Sequence, residues 1–452
     1  MLNVRASMVV RHRLLIASGI LTALVACTTE VMTKQAGPGG NGTSTDVDPT
    51  SPGGAKSNVK DALTVDKVSL YQGVEVRLVK DGAEVGERNA PIITNRPALV
   101  RVHATKDAKV RVGEVTANLH LEIDGEETVI SDGPKAVLDY DDTSLDSTFD
   151  FELSAEQMTS DVEMSVELVG SSDADAVTFP AGGAALNVGA EDAAKLRVQL
   201  IPVKYAADGS NRLPPLDSVS VKRYHDALYQ MYPVSEVEIS QHQPLDWDVP
   251  IEPTGSGWDQ LLNAVMTMRV DEEVDEDVYN IGVFNPAADI REYCGHGGCV
   301  LGIAPAAGFS NPGALDTQMA LRSALVVGYQ TSRSGGTISQ ELAHAMGRLH
   351  APCGNPAAID RNYPYGKASI GSTGWDPLSK KLVSGDAYSD FMSYCSPVWV
   401  SDYTYKAIFD RMVKVRETMA KTQKSIKTLA PMPPAPAFKL SKDQIAWTMQ
   451  QP

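Results

Sequence analysis

Four polar residues in the second half of the chain have the types and spacing of a catalytic metal site. Gln340 and His344 are four residues apart, Glu341 follows Gln340, and His350 comes six residues after His344. In a helix, Gln340 and His344 project from one side, one turn apart. Gly347 can adopt the left-handed backbone that ends a helix, which would turn His350 back toward His344. This spacing predicts that the side chains converge in the geometry of a catalytic metal site.

An apolar face repeats through the same stretch at helical spacing, and it predicts the side that a core would bury. Its members are Ile338, Leu342, Ala345 and Leu349. Gln340 also permits a second interpretation. Thr337 and Gln340 fit a capping box, in which the glutamine would bond back to the start of the helix and have a structural role.

The string Q-E-x-x-H-x-x-G-x-x-H at residues 340–350 resembles the metzincin metalloendopeptidases, whose motif has His where this chain has Gln340. The preceding Gly336-Thr337-Ile338 is similar to the lead-in of the astacin branch. The resemblance implies zinc held by Gln340, His344 and His350, and peptide-bond hydrolysis with Glu341 as general base. The gametolysin-like branch includes members with glutamine at this position, which implies that the substitution is compatible with activity and with a preference for copper. A degenerate, inactive site is the alternative.

A second stretch, residues 390–395, resembles the methionine-containing turn that lies below the metal in metzincins. By this resemblance Met392 forms the floor of the site. Tyr394 becomes a catalytic residue, either as an additional metal ligand or as a hydrogen-bond donor in the transition state. Met392 taken alone also fits an ordinary core position.

Alternating strands and amphipathic helices surround these motifs and predict an α+β fold. A metzincin-like catalytic domain is expected at residues 193–425, with a mixed sheet, the active-site helix, the methionine turn and a C-terminal helix. The expected strands are 196–203, 237–239, 278–284, 302–304 and 324–328, and the expected helices are 219–232, 258–269 and 401–421.

Residues 61–192 contain runs of alternating apolar residues separated by turn dipeptides such as Asp124-Gly125. This pattern is typical of an all-β, sandwich-like domain. Two functions remain open for it: docking of a substrate or glycan, or a spacer that packs on the catalytic unit. It has no cysteine with which to ligate the metal.

The N-terminus predicts export and membrane anchoring. Residues 1–26 combine basic residues with a short apolar segment, as in a signal peptide. The end of that segment, Leu24-Val25-Ala26-Cys27, resembles a bacterial lipobox, which implies acylation of Cys27. Residues 27–60 are rich in Gly, Ser, Thr and Pro and predict a disordered tether. We therefore expect a lipid-anchored protein of the bacterial cell envelope, at the outer membrane.

The four other cysteines predict two disulfide bonds, since an exported protein meets an oxidising environment. Three pairings are possible, and we favour Cys294–Cys299 with Cys353–Cys395. Cys294-Gly-His296-Gly-Gly-Cys299 also fits a metal loop, although a small disulfide loop is favoured. Residues 426–452 form a Pro-rich tail.

The chain has 452 residues and a net charge of −17, with 57 acidic and 40 basic side chains. That length accommodates two domains with their own cores. The negative charge argues against nucleic acid as a partner. We expect a membrane-anchored metalloendopeptidase that acts on proteins or peptides. The alternatives are an inactive metzincin fold that binds a protein or peptide, and an adhesion or structural lipoprotein that acts through its β domain.

Overall fold

The computed structural model describes residues 59–170, 176–295, 297–305, 318–426 and 445–450, without the side chains of 422–426 and 445–450. All of the described residues belong to one compact unit. The predicted signal peptide, Cys27, the tether up to residue 58 and His296 lie outside the described residues. Within the described ranges, no helix combines the length and the hydropathy that a membrane span requires.

Residues 59–191 form two five-stranded antiparallel sheets that follow a short helix, α1. The sheets have the strand orders β3-β2-β1-β5-β8 and β10-β9-β6-β7, with β11 beside β9, and β4 pairs with β12 in a separate ladder. Buried residues of both sheets belong to one hydrophobic core, as expected for alternating strands with one covered face. The elements are α1 Val59–Ala62, β1 Leu63–Tyr71, β2 Glu75–Lys80, β3 Ala83–Glu84, β4 Ile92–Ile93, β5 Ala98–Lys106, β6 Val115–Ile123, β7 Glu126–Lys135, β8 Phe149–Leu153, β9 Glu163–Val169, β10 Ala176–Phe179, β11 Leu186–Asn187 and β12 Ala190–Glu191.

The second half of the chain is built on a mixed sheet. Its elements are β13 Leu196–Tyr205, α2 Ser218–Met231, β14 Val237–Gln241, β15 Leu245–Trp247, α3 Trp258–Asp271, β16 Val278–Phe284, α4 Ile290–Cys294, β17 Cys299–Pro305, β18 Ser323–Val327, α5 Ser334–Ala345, β19 Gly374–Asp376, β20 Lys381–Val383, β21 Ser389–Asp390, β22 Val398–Trp399, α6 Asp402–Ile426 and β23 Ile445–Gln450. The strand order is β14-β13-β16-β18-β17-β23, and β15 also pairs with β13. The first four strands are parallel, whereas β17 runs antiparallel to β18.

Helices cover both faces of this sheet. On one face, Leu228 of α2 and Leu342 of α5 belong to the core that continues into the β half. On the other face, Leu261 and Val265 of α3 belong to a second core. Strand β16 is buried along its whole length, as expected for a parallel strand with helices on both sides. The protein is therefore α+β, as the sequence predicts, with a β half and an α/β half.

The two halves are joined by buried polar contacts as well as by the shared core. Arg96, in the β half, is fully buried and donates hydrogen bonds to the carbonyl oxygens of Tyr229 (2.7 Å) and Val234 (2.5 Å). These carbonyls lie at and just beyond the C-terminus of α2, where backbone acceptors lack helical partners. Trp399 Nε1 donates to the carbonyl of Gly73 at 2.7 Å. The β half thus packs directly on the α/β half.

The structure contains the disulfides Cys294–Cys299 and Cys353–Cys395, the pairing favoured from the sequence. Within the predicted Pro-rich tail, residues 445–450 form strand β23 on the outer edge of β17. Residues 427–444, 451 and 452 lie outside the described residues.

Candidate active site

Helix α5 carries the predicted motif and begins at Ser334. The capping-box hypothesis requires Thr337 to be the N-cap, three residues later. The N-cap of α5 is Arg333, so Thr337 lies inside the first turn, where its hydroxyl donates to the Arg333 carbonyl at 3.1 Å. The capping-box interpretation of Gln340 is therefore wrong. Gly335 stands where α5 meets α2, because a Cβ there would lie 2.8 Å from the Cβ of Ala227. Gly335 thus allows the close approach of α2.

The end of α5 reverses the chain as the sequence predicts. The helix ends at Ala345, and Gly347 adopts a φ of 90°, in the left-handed region that favours glycine. Its amide donates to the His344 carbonyl at 2.8 Å. The reversal brings His350 back to His344, so that their Nε2 atoms lie 3.1 Å apart. Both imidazoles are buried.

The opposite nitrogen of each ring is bonded to a backbone carbonyl. His344 Nδ1 donates to the Arg348 carbonyl and His350 Nδ1 to the Ala357 carbonyl, both at 2.6 Å. Burial and the neighbouring His350 lower the pKa of His344 well below its usual value, and burial lowers the pKa of His350 to about 4. Both rings are therefore neutral at pH 7, with their proton on Nδ1. Two Nε2 lone pairs face each other across 3.1 Å.

Opposed lone pairs repel each other, and a cation between them removes the repulsion. Zinc–nitrogen bonds of about 2.05 Å in a tetrahedral site place two ligand nitrogens roughly 3.4 Å apart, close to the observed separation. The carbonyl bonds at Nδ1 orient the rings in the way that outer contacts orient metal-bound histidines. The two imidazoles therefore fit a metal ion. Within the described ranges there is no cluster of three His, Cys, Asp or Glu side chains that could hold one.

Gln340 and Tyr394 flank this pair in the wall of a cleft. Gln340 is one helical turn before His344 and is 4% exposed. Together with Tyr394 and Leu301 it lines a cleft of about 500 Å³. The Tyr394 ring packs edge-on against His350, with ring centres 5.0 Å apart. The structure thus groups the predicted ligands and Tyr394 at one end of α5, with an amide and a phenol at the wall of an open cleft.

Glu341 is fully buried and its carboxyl group packs against strand β17. A Cβ added to Gly302 would lie 2.5 Å from Glu341 Cγ and 2.7 Å from Oε1. Only glycine fits at this position of β17 without displacing the carboxylate. Gly302 was not among the site residues predicted from the sequence. The available signal was an isolated glycine within a strand, which often marks a close approach of another group.

The residues after His350 are fastened to the predicted methionine turn. The Ala351 amide donates to the Met392 carbonyl and the Tyr394 amide to the Cys353 carbonyl, both at 3.0 Å. The Cys353–Cys395 disulfide adds a covalent link, and the Met392 side chain is buried in the core. These contacts fix Tyr394 relative to His350.

A second group of contacts holds the segment around His350 and was not predicted. The buried Asp360 carboxylate accepts hydrogen bonds from Arg348 (3.2 Å) and from the Tyr403 hydroxyl (2.9 Å) of α6. The Asp360 amide donates to the His350 carbonyl at 2.8 Å. The sequence carried no local signal for this group, because Tyr403 lies far from Asp360 along the chain.

Paired imidazoles on a helix and its return loop, beside a buried glutamate and an open cleft, are typical of the metallopeptidase class. The family model for Peptidase M66 matches residues 142–394. This span covers more than half of the chain and contains the whole site, so the protein belongs to this family of peptidases.

Other comparisons are weak. No curated protein matches the chain. A solved structure titled "Structure of a chaperone-substrate complex" aligns at 11% identity and a TM-score of 0.27, over 60% of this chain and 40% of that one. A likeness at this level carries no argument about fold or function.

Proposed function

We propose that the protein is a metalloendopeptidase with its metal held by His344, His350 and the Gln340 side-chain oxygen. The observation that carries the proposal is the pair of neutral imidazoles whose Nε2 atoms face each other at 3.1 Å. The match to Peptidase M66 supports peptide-bond hydrolysis. Zinc is the expected ion because two imidazole ligands suit it. Copper is the alternative, because imidazole also suits copper and Gln340 replaces the first histidine.

The chemistry would divide between the ion and the protein. A bound ion supplies Lewis acidity toward water and the scissile carbonyl. Glu341 follows Gln340 directly on α5, and in our proposal it accepts the proton of the attacking water and delivers it to the leaving amine. Gly302 keeps the Glu341 carboxylate at the wall formed by β17. Tyr394, in the cleft wall beside His350, donates a hydrogen bond to the developing oxyanion or serves as a further ligand.

The decisive experiment measures metal and activity on the same samples. The chain is expressed with its disulfides formed, and zinc and copper are quantified by mass spectrometry for the wild type, His344→Ala, Glu341→Gln and His225→Ala. His225 is a partly exposed histidine outside the site that stacks on Tyr229, so its variant is the matched control.

We expect about one ion per chain in the wild type, Glu341→Gln and His225→Ala, and none in His344→Ala. Cleavage of an unfolded protein substrate should disappear in Glu341→Gln and persist in His225→Ala. Bound metal without any Glu341-dependent cleavage would support the inactive, peptide-binding alternative. No bound metal after incubation with both ions would refute the proposal.

We also propose that acylated Cys27 anchors the protein in the bacterial envelope, at the outer membrane. The support is the sequence Leu24-Val25-Ala26-Cys27 after an apolar segment. Labelling with a palmitate analogue in cells should mark the wild type and leave Cys27→Ser unmarked, with the variant moving to the soluble fraction. Unchanged membrane association of Cys27→Ser would contradict the anchor.

A further inference from the structure

The C-terminal strand of the protein covers the outer edge of the mixed sheet. Without β23, strand β17 would be the last strand of that sheet. The two strands pair antiparallel from Cys299 opposite Gln450 to Pro305 opposite Ile445. The register shifts between Val300 and Gly302, so Leu301 stands at an irregularity in the pairing. Residues 445–450 therefore occupy the pairing positions along the backbone of this edge.

The covered edge borders the proposed catalytic site. Leu301 lines the same cleft as Gln340 and Tyr394. The neighbouring Gly302 lies against the Glu341 carboxyl group, and its backbone pairs with Thr448 of β23. A peptide bonded to β17 at this point would therefore run alongside Glu341 and the cleft.

Extended peptides bind proteins by adding a strand to an exposed sheet edge, where main-chain hydrogen bonds hold them in register. At β17 those bonds are already made by residues 445–450. We propose that β23 is an autoinhibitory strand, an intramolecular competitor for the peptide substrate. The inference rests on the proposed peptidase function, and it adds that the active form of the enzyme is the one in which β23 has left β17.

The size of the effect follows from covalent attachment. A segment linked to its own site acts at an effective concentration of about 1 mM. If the same residues supplied as a free peptide inhibit with a Ki of about 0.1 mM, the attached strand should reduce kcat/KM about tenfold. Because competition acts on binding, the change should appear in KM and leave kcat nearly constant.

The test releases β23 after the full chain has folded. In a chain carrying Cys27→Ser, residues 432–438 are replaced by the recognition sequence of an unrelated site-specific protease. The control chain carries the same sequence at the exposed Asp124-Gly125 turn between β6 and β7. After cleavage and removal of the released fragment, kcat and KM are measured on an unstructured peptide. A synthetic peptide of residues 443–452 and a scrambled version are then added back.

We expect cleavage near residue 435 to raise kcat/KM about tenfold and cleavage at the control turn to change nothing. The 443–452 peptide should restore inhibition competitively, and the scrambled peptide should not. In an uncleaved chain, the double substitution Ala446→Pro/Thr448→Pro should give part of the same activation, because proline cannot donate to the ladder. Unchanged kcat/KM after fragment removal would overturn the proposal.

A binding measurement separates this inference from the proposed function. Anisotropy of a labelled unstructured peptide is recorded with Glu341→Gln protein, cleaved and uncleaved. If neither form of the active chain hydrolyses peptides, the proposed function fails. In that case, tighter binding to the cleaved protein still supports β23 as the occupant of a peptide site, and equal binding refutes it.

Discussion

Gly302→Ala tests whether Glu341 acts from its observed position. The new Cβ would lie 2.5 Å from Glu341 Cγ and 2.7 Å from Oε1, whereas ordinary contacts are 3.4–4 Å. The carboxylate must therefore retreat by roughly 1 Å. A displacement of about 1 Å at a reacting group costs on the order of 100-fold in rate. We expect kcat/KM to fall by about that factor while the metal content stays at the wild-type level, because the imidazoles are not touched.

The matched control is Gly282→Ala in β16, which β18 separates from β17 in the same sheet. A Cβ there would lie 2.5 Å from Leu325 and 3.2 Å from Val265, away from Glu341. Overpacking of this kind costs about 1–3 kcal/mol in the free energy of unfolding, so both variants should melt earlier. Only Gly302→Ala should lose activity at a temperature where both are folded. Wild-type kcat/KM in folded, metal-loaded Gly302→Ala would refute the assignment of Glu341 as the base held by Gly302.

Three further predictions concern the ligands and their support. Gln340→His should raise zinc affinity at least tenfold in a chelator competition assay and Gln340→Ala should lower it, since imidazole is the better zinc ligand; equal affinities would mean that residue 340 does not ligate. Burial lowers the pKa of His350 to about 4 from 6.5, so between those pH values the unfolded chain binds more protons than the folded one. With a chelator present, the free energy of unfolding measured in urea should therefore fall by up to about 3 kcal/mol as the pH drops from 6.5 to 4. In His350→Gln the free energy of unfolding should depend less on pH over this range. Loss of the Cys353–Cys395 bridge, which closes a separation of 42 residues, should cost about 4 kcal/mol, against about 2 kcal/mol for the Cys294–Cys299 bridge with its separation of 5. Only the Cys353–Cys395 loss should also weaken metal binding, and an equal effect of both on metal affinity would contradict the role of this bridge in fixing the site.

Periodicity identified the longer helices and the main strands of the α/β half, because each of them buries a regular face. Strand β16 occupies 278–284, the range expected from its continuous apolar run. The reversal at Gly347 was predictable from a single glycine at the right offset. The start of α5 could not be predicted, because Gly335 and Gly336 have low helix propensity. The packing of Gly335 against α2 outweighs that propensity.

Contacts between residues distant in the chain were beyond sequence reasoning. Asp360 joins Arg348 and Tyr403 only after the loop behind His350 has folded against α6. Strand β23 lies in a segment whose composition indicated a loose tail, and its pairing depends on an edge more than a hundred residues earlier. The resemblance to metzincins, together with the local spacing, indicated that His344 and His350 meet. It did not indicate the contacts that hold them in place.

The Arg96 contact and the shared core bear on how this protein can be divided. The guanidinium of Arg96 satisfies carbonyls at the end of α2, so a fragment starting at residue 193 would lose those bonds and expose apolar surface. The match to Peptidase M66 begins at residue 142, before β8 and inside the β half. The predicted boundary at 193 is thus crossed by a shared core and by buried hydrogen bonds. The β half and the α/β half should therefore unfold together, in a single cooperative transition.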